Sequence, residues 1–229
     1  MKKEVISLPR NKYPEETRKL ILDVAKKLFL EKGYDGTTIK DIIDGLGGLT
    51  KGVIYHHFKS KDDIFEQVLE EIADKSENEF FGQLDQSGMT GLEKLQTYLI
   101  HSLKSYELIS ILYKAKIIQK STRLIGEQYL ESMSSVVVEI RSMMQVGIED
   151  GSIVIDFPDE AAEVVIILFN MWFAIQFPNW SREELKRRFM VIKGICDSWD
   201  VPIVTDQTTK VVDDLCDYLD TLDEKAIAD

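Results

Sequence analysis

The sequence predicts an all-α fold of about ten helices, and three observations support this prediction. Apolar residues recur with the 3.6-residue spacing of an amphipathic helix along most of the 229 residues. The prolines lie at positions 9, 14, 158, 178 and 202, so most of the chain is free of helix breakers. Strand-like alternation of apolar and polar residues is scarce, and SIVIDF at 152–157 is its best example.

Capping residues and glycines mark where these helices begin and end. Thr90 with Glu93, and Ser181 with Glu184, have the spacing of a capping box at a helix start. Gly33 is placed to end the first helix. In chain order, the predicted helices cover residues 14–33, 38–45, 50–57, 61–80, 90–103, 107–119, 123–150, 158–177, 181–199 and 206–222.

Charge is distributed unevenly along the chain, although the net charge is -12. Residues 1–61 carry 13 lysines and arginines against 8 acidic residues, whereas the remainder carries 15 against 32. A basic end on an acidic body predicts an anion-binding module joined to a second part. We therefore expect two domains, residues 1–61 and residues 62–229.

The remaining compositional signals favour a cytoplasmic protein without a membrane span. The first residues lack the apolar run of a signal peptide. The most apolar segment, 161–177, is short for a membrane span and includes Glu163, so we expect it in a core or an interface. Cys196 and Cys216 have no spacing typical of a disulfide framework or a zinc site.

The stretch LGGLTKGVIYHHFKSK at 46–61 combines glycines, lysines and two adjacent histidines. On a helix, Ile54 and Phe58 share the face expected to pack in the core. Tyr55 and His56 point away from that face, and His57 lies on the flank. Because adjacent helical residues diverge by about 100°, the two histidines are badly placed to share a metal. We predict no metal site and no cofactor, and expect an anionic, groove-shaped partner.

Two short helices joined by a glycine-containing turn, after a longer helix, form a helix-turn-helix layout. In this layout the second short helix enters the major groove of double-stranded DNA. Thr37 or Thr38 begins the first short helix, whose free N–H groups favour a phosphate. Thr50 begins the second, where Gly52 lets the backbone approach the DNA. Lysines add affinity without reading sequence.

The segment from Ile21 to Phe65, with ILDVAKKLFLEKGYDGTTIKDI and TKGVIYHHFKSKDDIF, resembles the DNA-binding domain of the TetR family of bacterial transcriptional regulators. The resemblance covers about 45 residues, and implies a larger helical domain for ligand binding and dimerisation behind it. It also implies that Tyr55 and Lys61 contact phosphates and that His56 faces bases. Together with Thr37, the expected DNA contacts are Thr38, Thr50, Lys51, Gly52, Tyr55, His56, His57 and Lys61.

The turn between the two short helices departs from the family's pattern. It is one residue longer, with Gly47 and Gly48 side by side, and Gly45 stands where the family often has alanine. A longer, glycine-rich turn could change the angle of the recognition helix. We therefore expect the departure to affect base contacts more than phosphate contacts.

Aromatic and methionine side chains in the acidic part suggest an apolar pocket, although each could equally be ordinary core. The expected pocket residues are Tyr98, His101, Tyr113, Met133, Phe169, Trp172 and Phe173. Candidate polar groups are Asn170, Gln176, His101 and Gln145. The resemblance implies a homodimer built by 158–177 and 181–199, and leaves 206–222 as an extension that covers either the dimer or the pocket.

The resulting hypothesis is a repressor that binds a palindromic operator as a homodimer and is released by a small apolar or amphipathic effector. The alternative is a helical dimer that binds a ligand or a protein without recognising a specific DNA site. An enzyme is not expected, because the sequence contains no Glu-x-x-His pair, no phosphate-binding glycine loop and no Gly-x-Ser-x-Gly elbow. No catalytic residue is therefore predicted.

Overall fold

A computed structural model describes residues 14–47, 49–85, 88–115, 122–174 and 180–228. These ranges contain eleven α-helices and two π-helical segments, and no strand. The helices are α1 (Pro14–Lys32), α2 (Ile39–Gly45), α3 (Lys51–His57), α4 (Lys61–Asp85), α5 (Gly91–Leu103), α6 (Tyr106–Ala115), α7 (Thr122–Glu131), α8 (Val137–Asp150), α9 (Pro158–Ile166), α10 (Arg182–Ser198) and α11 (Asp206–Ala228). The predicted all-α class is confirmed.

Most of the predicted helices appear with bounds within a few residues of expectation. Both capping boxes form, at Thr90 before α5 and at Ser181 before α10. The end predicted for the 107–119 helix lies outside the described residues, since α6 is described only to Ala115.

The long helix predicted over 123–150 is interrupted by a π-helical segment, Ser132–Val136, between α7 and α8. The helix predicted over 158–177 likewise changes from α9 to a π-helical segment, Ile167–Ala174. A π turn widens the helix by one residue and shifts the side chains that follow. Apolar periodicity does not reveal such a shift, so the sequence predicted two uninterrupted helices.

The segment SIVIDF forms no strand. Ile153 is buried and donates its N–H to the carbonyl oxygen of Gly147 at 2.9 Å. Val154 and Phe157 are exposed instead. The alternation reflects two inward-facing residues, Ile153 and Ile155, in the link between α8 and α9, which has no partner strand in the described chain.

The chain divides into two compact units, Met1–Ala73 and Asp74–Asp229. In the first unit, α1 packs on α2, and α2 packs on α3. Its core includes an aromatic cluster in which the ring of Phe29 lies edge-on to Phe65, with 5.2 Å between centroids. Ile54 and Phe58 are buried, which confirms that they anchor α3.

In the second unit, α5 packs against α8, and α8 against α9. A glycine on α5 makes the first of these contacts possible. A Cβ atom on Gly91 would lie 2.0 Å from the backbone nitrogen of Gly147, so α5 cannot carry a side chain there. The N–H of Gly91 also donates to the carboxylate of Asp150 at 2.8 Å. This close pair of helices forms one side of the second unit's apolar core.

Candidate functional site

Thr38 is the N-cap of α2 and forms a complete capping box with Asp41. The N–H of Asp41 donates to the Thr38 hydroxyl at 3.1 Å, and the N–H of Thr38 donates to the Asp41 carboxylate at 2.8 Å. The hydrogen bond from the Thr38 side chain is the main cause that lowers the pKa of Asp41 far below its usual value. The exposed start of α2 is therefore ordered by its own sequence.

Thr37 is fully buried, unlike its neighbour. Its hydroxyl donates to the carbonyl oxygen of Gly33 at 2.8 Å, within the turn that joins α1 to α2. A side chain with no exposed surface cannot contact a phosphate, so its burial removes Thr37 from the proposed DNA contacts. The sequence shows two adjacent threonines, and their spacing does not predict which of the two is buried.

Helix α3 buries Ile54 and leaves Lys51, Gly52, Tyr55 and His56 exposed. Thr50 occupies its N-cap position but makes no side-chain capping bond, in contrast to Thr38. The Thr50 hydroxyl is thus not committed to the start of α3. This exposed face holds groups that can meet a phosphate backbone and base edges.

Gly52 has no packing reason to be a glycine. A Cβ atom added there would have one described neighbour within 4 Å, the hydroxyl oxygen of Thr50 at 3.8 Å. The missing side chain therefore leaves space on the outer surface of α3. Close approach of another molecule to the α3 backbone is possible at this point.

The two histidines have different surroundings, as their helical positions predicted. His56 is exposed, whereas His57 is partly buried, and their ring centroids lie 5.3 Å apart. Burial, followed by the nearby His56, lowers the pKa of His57. Among the described residues, no group of three or more histidine, cysteine or acidic side chains could hold a metal ion.

Lys61, the first residue of α4, reaches back to the turn between α1 and α2. Its ammonium donates to the carbonyl oxygens of Tyr34 at 2.8 Å and Thr37 at 2.9 Å. It also lies 3.9 Å from the centre of the Tyr34 ring, within cation–π range. Lys61 therefore stabilises the turn before α2, with one of its three N–H groups left for other partners.

Gly47 follows α2 with φ +61, in the left-handed region. Leu46 is the C-cap of α2, and its N–H donates to the carbonyl oxygens of Ile42 and Ile43. A glycine directly after the C-cap is the usual way to end a helix in this conformation. Gly48 lies outside the described residues.

Gly45 lies close to α1, since a Cβ there would be 2.7 Å from a methyl carbon of Val24.

The second unit contains a largely apolar cavity of about 120 Å³, partly open to solvent. Three of the expected pocket residues line it, namely Tyr98, Phe169 and Phe173. Asn170, a candidate polar group, also lines it. Two stretches of helix therefore supply the predicted lining, one on α5 and one in the second π-helical segment.

The other expected pocket residues lie elsewhere in the second unit. His101 stacks on Phe80 with 4.0 Å between ring centroids, and burial lowers its pKa. Trp172 is partly exposed and meets Trp180 edge-on at 6.4 Å. Tyr113 and Met133 pack against the apolar core and do not line the cavity. Gln145 is exposed and donates to Glu149 at 2.9 Å, and Gln176 lies outside the described residues.

Comparison with known proteins places these features in a family. Residues 21–68 match the family model for bacterial regulatory proteins of the tetR family. The chain is 30% identical over 148 residues to the HTH-type transcriptional repressor KstR2 of Rhodococcus jostii, across 62% of this chain and 70% of that protein. The chain belongs to the TetR family. The predicted resemblance, drawn from residues 21–65, is confirmed.

One further relative and one solved structure extend the comparison. Identity rises to 51% over 47 residues with the negative transcriptional regulator IcaR of Staphylococcus aureus, covering 20% of this chain and 25% of that protein. A TetR-family regulator from Agrobacterium tumefaciens matches 80% of this chain and 98% of its own in fold, with a TM-score of 0.55 at 16% identity.

TetR-family membership makes this chain a transcriptional regulator and confirms the expectation that it is not an enzyme. Among its described residues, no helix is both long and apolar enough to cross a bilayer.

Several cavity residues of this TetR-family chain were not predicted from the sequence. They are aliphatic or small, and they are Leu95, Leu99, Ser102, Leu103, Ile109, Ile140, Val165, Ile166, Ala174, Ile203 and Leu215. Part of this lining could have been predicted from the spacing on α5. One face of that helix carries Leu95, Tyr98, Leu99 and Ser102, which follow the three- or four-residue spacing of a helix face. Ile203 and Leu215 come from the C-terminal extension, whose position no local pattern predicts.

Proposed function

We propose that this TetR-family regulator is a repressor that binds a palindromic operator as a homodimer and releases it when a small apolar or amphipathic effector binds. The observation that carries the proposal is the set of exposed groups at the start and on the outer face of α3, which is anchored by the buried Ile54. These groups are Thr50, Lys51, Gly52, Tyr55 and His56. The similarity to KstR2 and IcaR, both named as repressors or negative regulators, supports the direction of control.

The proposed DNA-binding domain comprises residues 1–61, and the proposed effector and dimerisation domain comprises 62–229. The division of the chain into two compact units supports a two-domain organisation. The boundary between the units, after Ala73, falls within α4. The proposed DNA contacts are Thr38, Thr50, Lys51, Gly52, Tyr55, His56, His57 and Lys61. In this set Tyr55 and the lysines bind phosphates, and His56 faces base edges.

The homodimer proposal is supported by apolar side chains that remain exposed on one chain. Val164 on α9, Ile167 after it, and Met190 and Val191 on α10 are all exposed. These residues lie in the two helices expected to pair. A dimer also supplies the second recognition helix that two half-sites, about 34 Å apart, require.

The cavity is the proposed effector site. Its apolar lining favours apolar or amphipathic molecules, because burying their apolar surface is favourable. An effector lowers operator affinity only if it binds the DNA-free state more tightly than the DNA-bound state. The same coupling requires that operator DNA weaken effector binding by an equal factor.

The test is footprinting of the full chain on DNA from its own upstream region, at low salt. We expect protection of a palindrome, uniform loss of affinity for all sequences with Tyr55→Ala, and a changed preference at one base pair with His56→Ala. Equal loss on specific and random DNA for His56→Ala would contradict base reading by this residue. Absence of any protected palindrome would favour the alternative, a helical dimer without specific DNA recognition.

A further inference from the structure

The cavity in the second unit is lined by fifteen residues, none of which carries a charged side chain. Side-chain polar atoms come from three of them, Tyr98, Ser102 and Asn170. A charged group buried against such a lining would lose its hydration without gaining a counter-ion. The lining therefore favours a neutral ligand.

Asn170 is held in a fixed orientation by a residue behind the cavity. Its side-chain N–H donates to the hydroxyl oxygen of Ser132 at 3.2 Å. Ser132 is fully buried, does not line the cavity, and also accepts a hydrogen bond from the side chain of Gln128 at 3.4 Å. With the amide nitrogen directed at Ser132, the amide oxygen is left as an acceptor without a donor among the described residues.

The hydroxyl of Ser102 is used differently. It donates to the carbonyl oxygen of Tyr98, four residues earlier on α5, at 3.1 Å. A hydroxyl satisfied by its own helix offers a ligand only its lone pairs. Ser102 can therefore still accept a hydrogen bond, but its hydroxyl is oriented by its own helix. What sets Asn170 apart is that a second, fully buried side chain, Ser132, orients its amide.

Both partners lie in π-helical segments, Ser132 in Ser132–Val136 and Asn170 in Ile167–Ala174. π turns shift side chains relative to an α-helix and occur frequently at functional sites. A part-buried hydrogen bond between these two side chains joins the two π-helical segments. It places one polar group against an otherwise apolar cavity.

We propose that the effector is a neutral, mainly apolar molecule with a hydroxyl or N–H group that donates to the side-chain oxygen of Asn170. Ser132 is a positioning residue that holds the Asn170 amide. The proposal rests on the proposed function, in which this cavity is the effector site, and it adds the chemical class of the ligand.

The test measures binding of four probes of similar shape to the full chain by calorimetry. The probes are 2-naphthol, naphthalene, 2-methoxynaphthalene and 2-naphthoate. One neutral hydrogen bond predicts that 2-naphthol binds about three- to tenfold more tightly than naphthalene. The methyl ether, which cannot donate, is expected to bind as naphthalene does, and the carboxylate is expected to bind most weakly.

Asn170→Leu is expected to abolish the preference for 2-naphthol over naphthalene while retaining naphthalene binding. Ser132→Ala is expected to reduce that preference, and Ser102→Ala is the matched control that keeps it. The comparison of 2-naphthol with its methyl ether uses the unaltered protein, so it tests the proposal even if a variant fails to fold.

Equal binding of the naphthol and its ether, tightest binding of the carboxylate, or loss of the preference in Ser102→Ala alone would each overturn the proposal. Failure of all four probes to bind would overturn it as well. Footprinting separates these results from failure of the proposed function. A protein that protects its palindrome but shows no Asn170-dependent preference contradicts only the ligand class.

Discussion

Gly52 lies in the first turn of α3, where no internal contact requires a glycine. A glycine within a helix lowers stability by roughly 0.5–1 kcal/mol relative to alanine. The position therefore carries a cost to folding without a benefit inside the chain. Close approach of the DNA backbone to α3 supplies a physical reason for it under the proposed function.

For Gly52→Ala, we expect the free energy of unfolding to stay the same or rise by up to about 1 kcal/mol. Operator affinity should fall by roughly tenfold, equivalent to about 1.4 kcal/mol. Chemical denaturation and fluorescence anisotropy with operator DNA measure the two effects. Gly126→Ala, at another exposed helical glycine with nothing within 4 Å, is the matched control that should leave operator affinity unchanged. Unchanged affinity in Gly52→Ala would contradict the close approach.

Lys61 and Lys51 offer a second comparison between single residues. Lys61→Ala removes two hydrogen bonds to backbone carbonyl oxygens, so the free energy of unfolding should fall by about 1–2 kcal/mol. Lys51→Ala alters an exposed side chain, so stability should change by less than about 0.5 kcal/mol.

Under the proposed phosphate contacts, each lysine variant should also reduce the slope of log affinity against log salt by about one. Anisotropy titrations at several salt concentrations measure this slope. A normal slope in Lys61→Ala, together with the loss of stability, would show that Lys61 acts on the turn before α2 and not on a phosphate.

Helix α11 was the element whose place the sequence left open, between the dimer and the pocket. It packs against α5 and α6 within the second unit. The Tyr218 ring stacks on Tyr106 of α6 at 4.6 Å, and Arg182 of α10 pairs with Asp217 at 2.6 Å. Leu215 lines the cavity. The extension therefore forms part of the cavity wall.

Leu215→Ala and Leu219→Ala test this position of α11. Both leucines are buried, so each substitution should cost about 2–4 kcal/mol of stability. Only Leu215 lines the cavity, so only Leu215→Ala should change 2-naphthol affinity. Denaturation and calorimetry give the two quantities. Equal changes in probe affinity for both variants would mean that affinity follows general stability and not the cavity wall.

At the scale of the whole molecule, one chain leaves apolar surface exposed on α9, the following π-helical segment and α10. Ile167, Met190 and Val191 are 40%, 52% and 51% exposed. Apolar side chains grouped on neighbouring elements are typical of a surface that pairs with a partner. The described part of the chain thus contains a surface that suits the proposed homodimer.

Ile167→Glu and Met190→Glu should each convert the protein from the mass of two chains to that of one, because a charge in an apolar interface loses its hydration. Light scattering after gel filtration measures the mass. Val154→Glu is the control, since Val154 is 77% exposed and lies outside these helices. Dimeric mass in both variants would place the interface elsewhere, and dissociation of the control would remove the specificity of the result.

The local pattern of this chain was enough to predict the all-α class, the helix-turn-helix layout and the division of α3 into inner and outer faces. These features depend on caps and on 3.6-residue spacing, which neighbouring residues set. Ile54 and Phe58 were therefore predicted correctly as anchors. The cavity was only partly predicted, since aromatic content identified Tyr98, Phe169 and Phe173 but also included His101 and Trp172.

By itself, the sequence determined most of the helices, where most of them begin, and that the basic first part carries a helix-turn-helix layout. Only the tertiary structure decided that Thr37 is buried, that Lys61 holds the preceding turn, and that α11 forms part of the cavity wall. It alone brought Asn170 to Ser132, 38 positions away. Contacts between distant residues and the register of two π turns set these features, and neither is encoded in the spacing of nearby side chains.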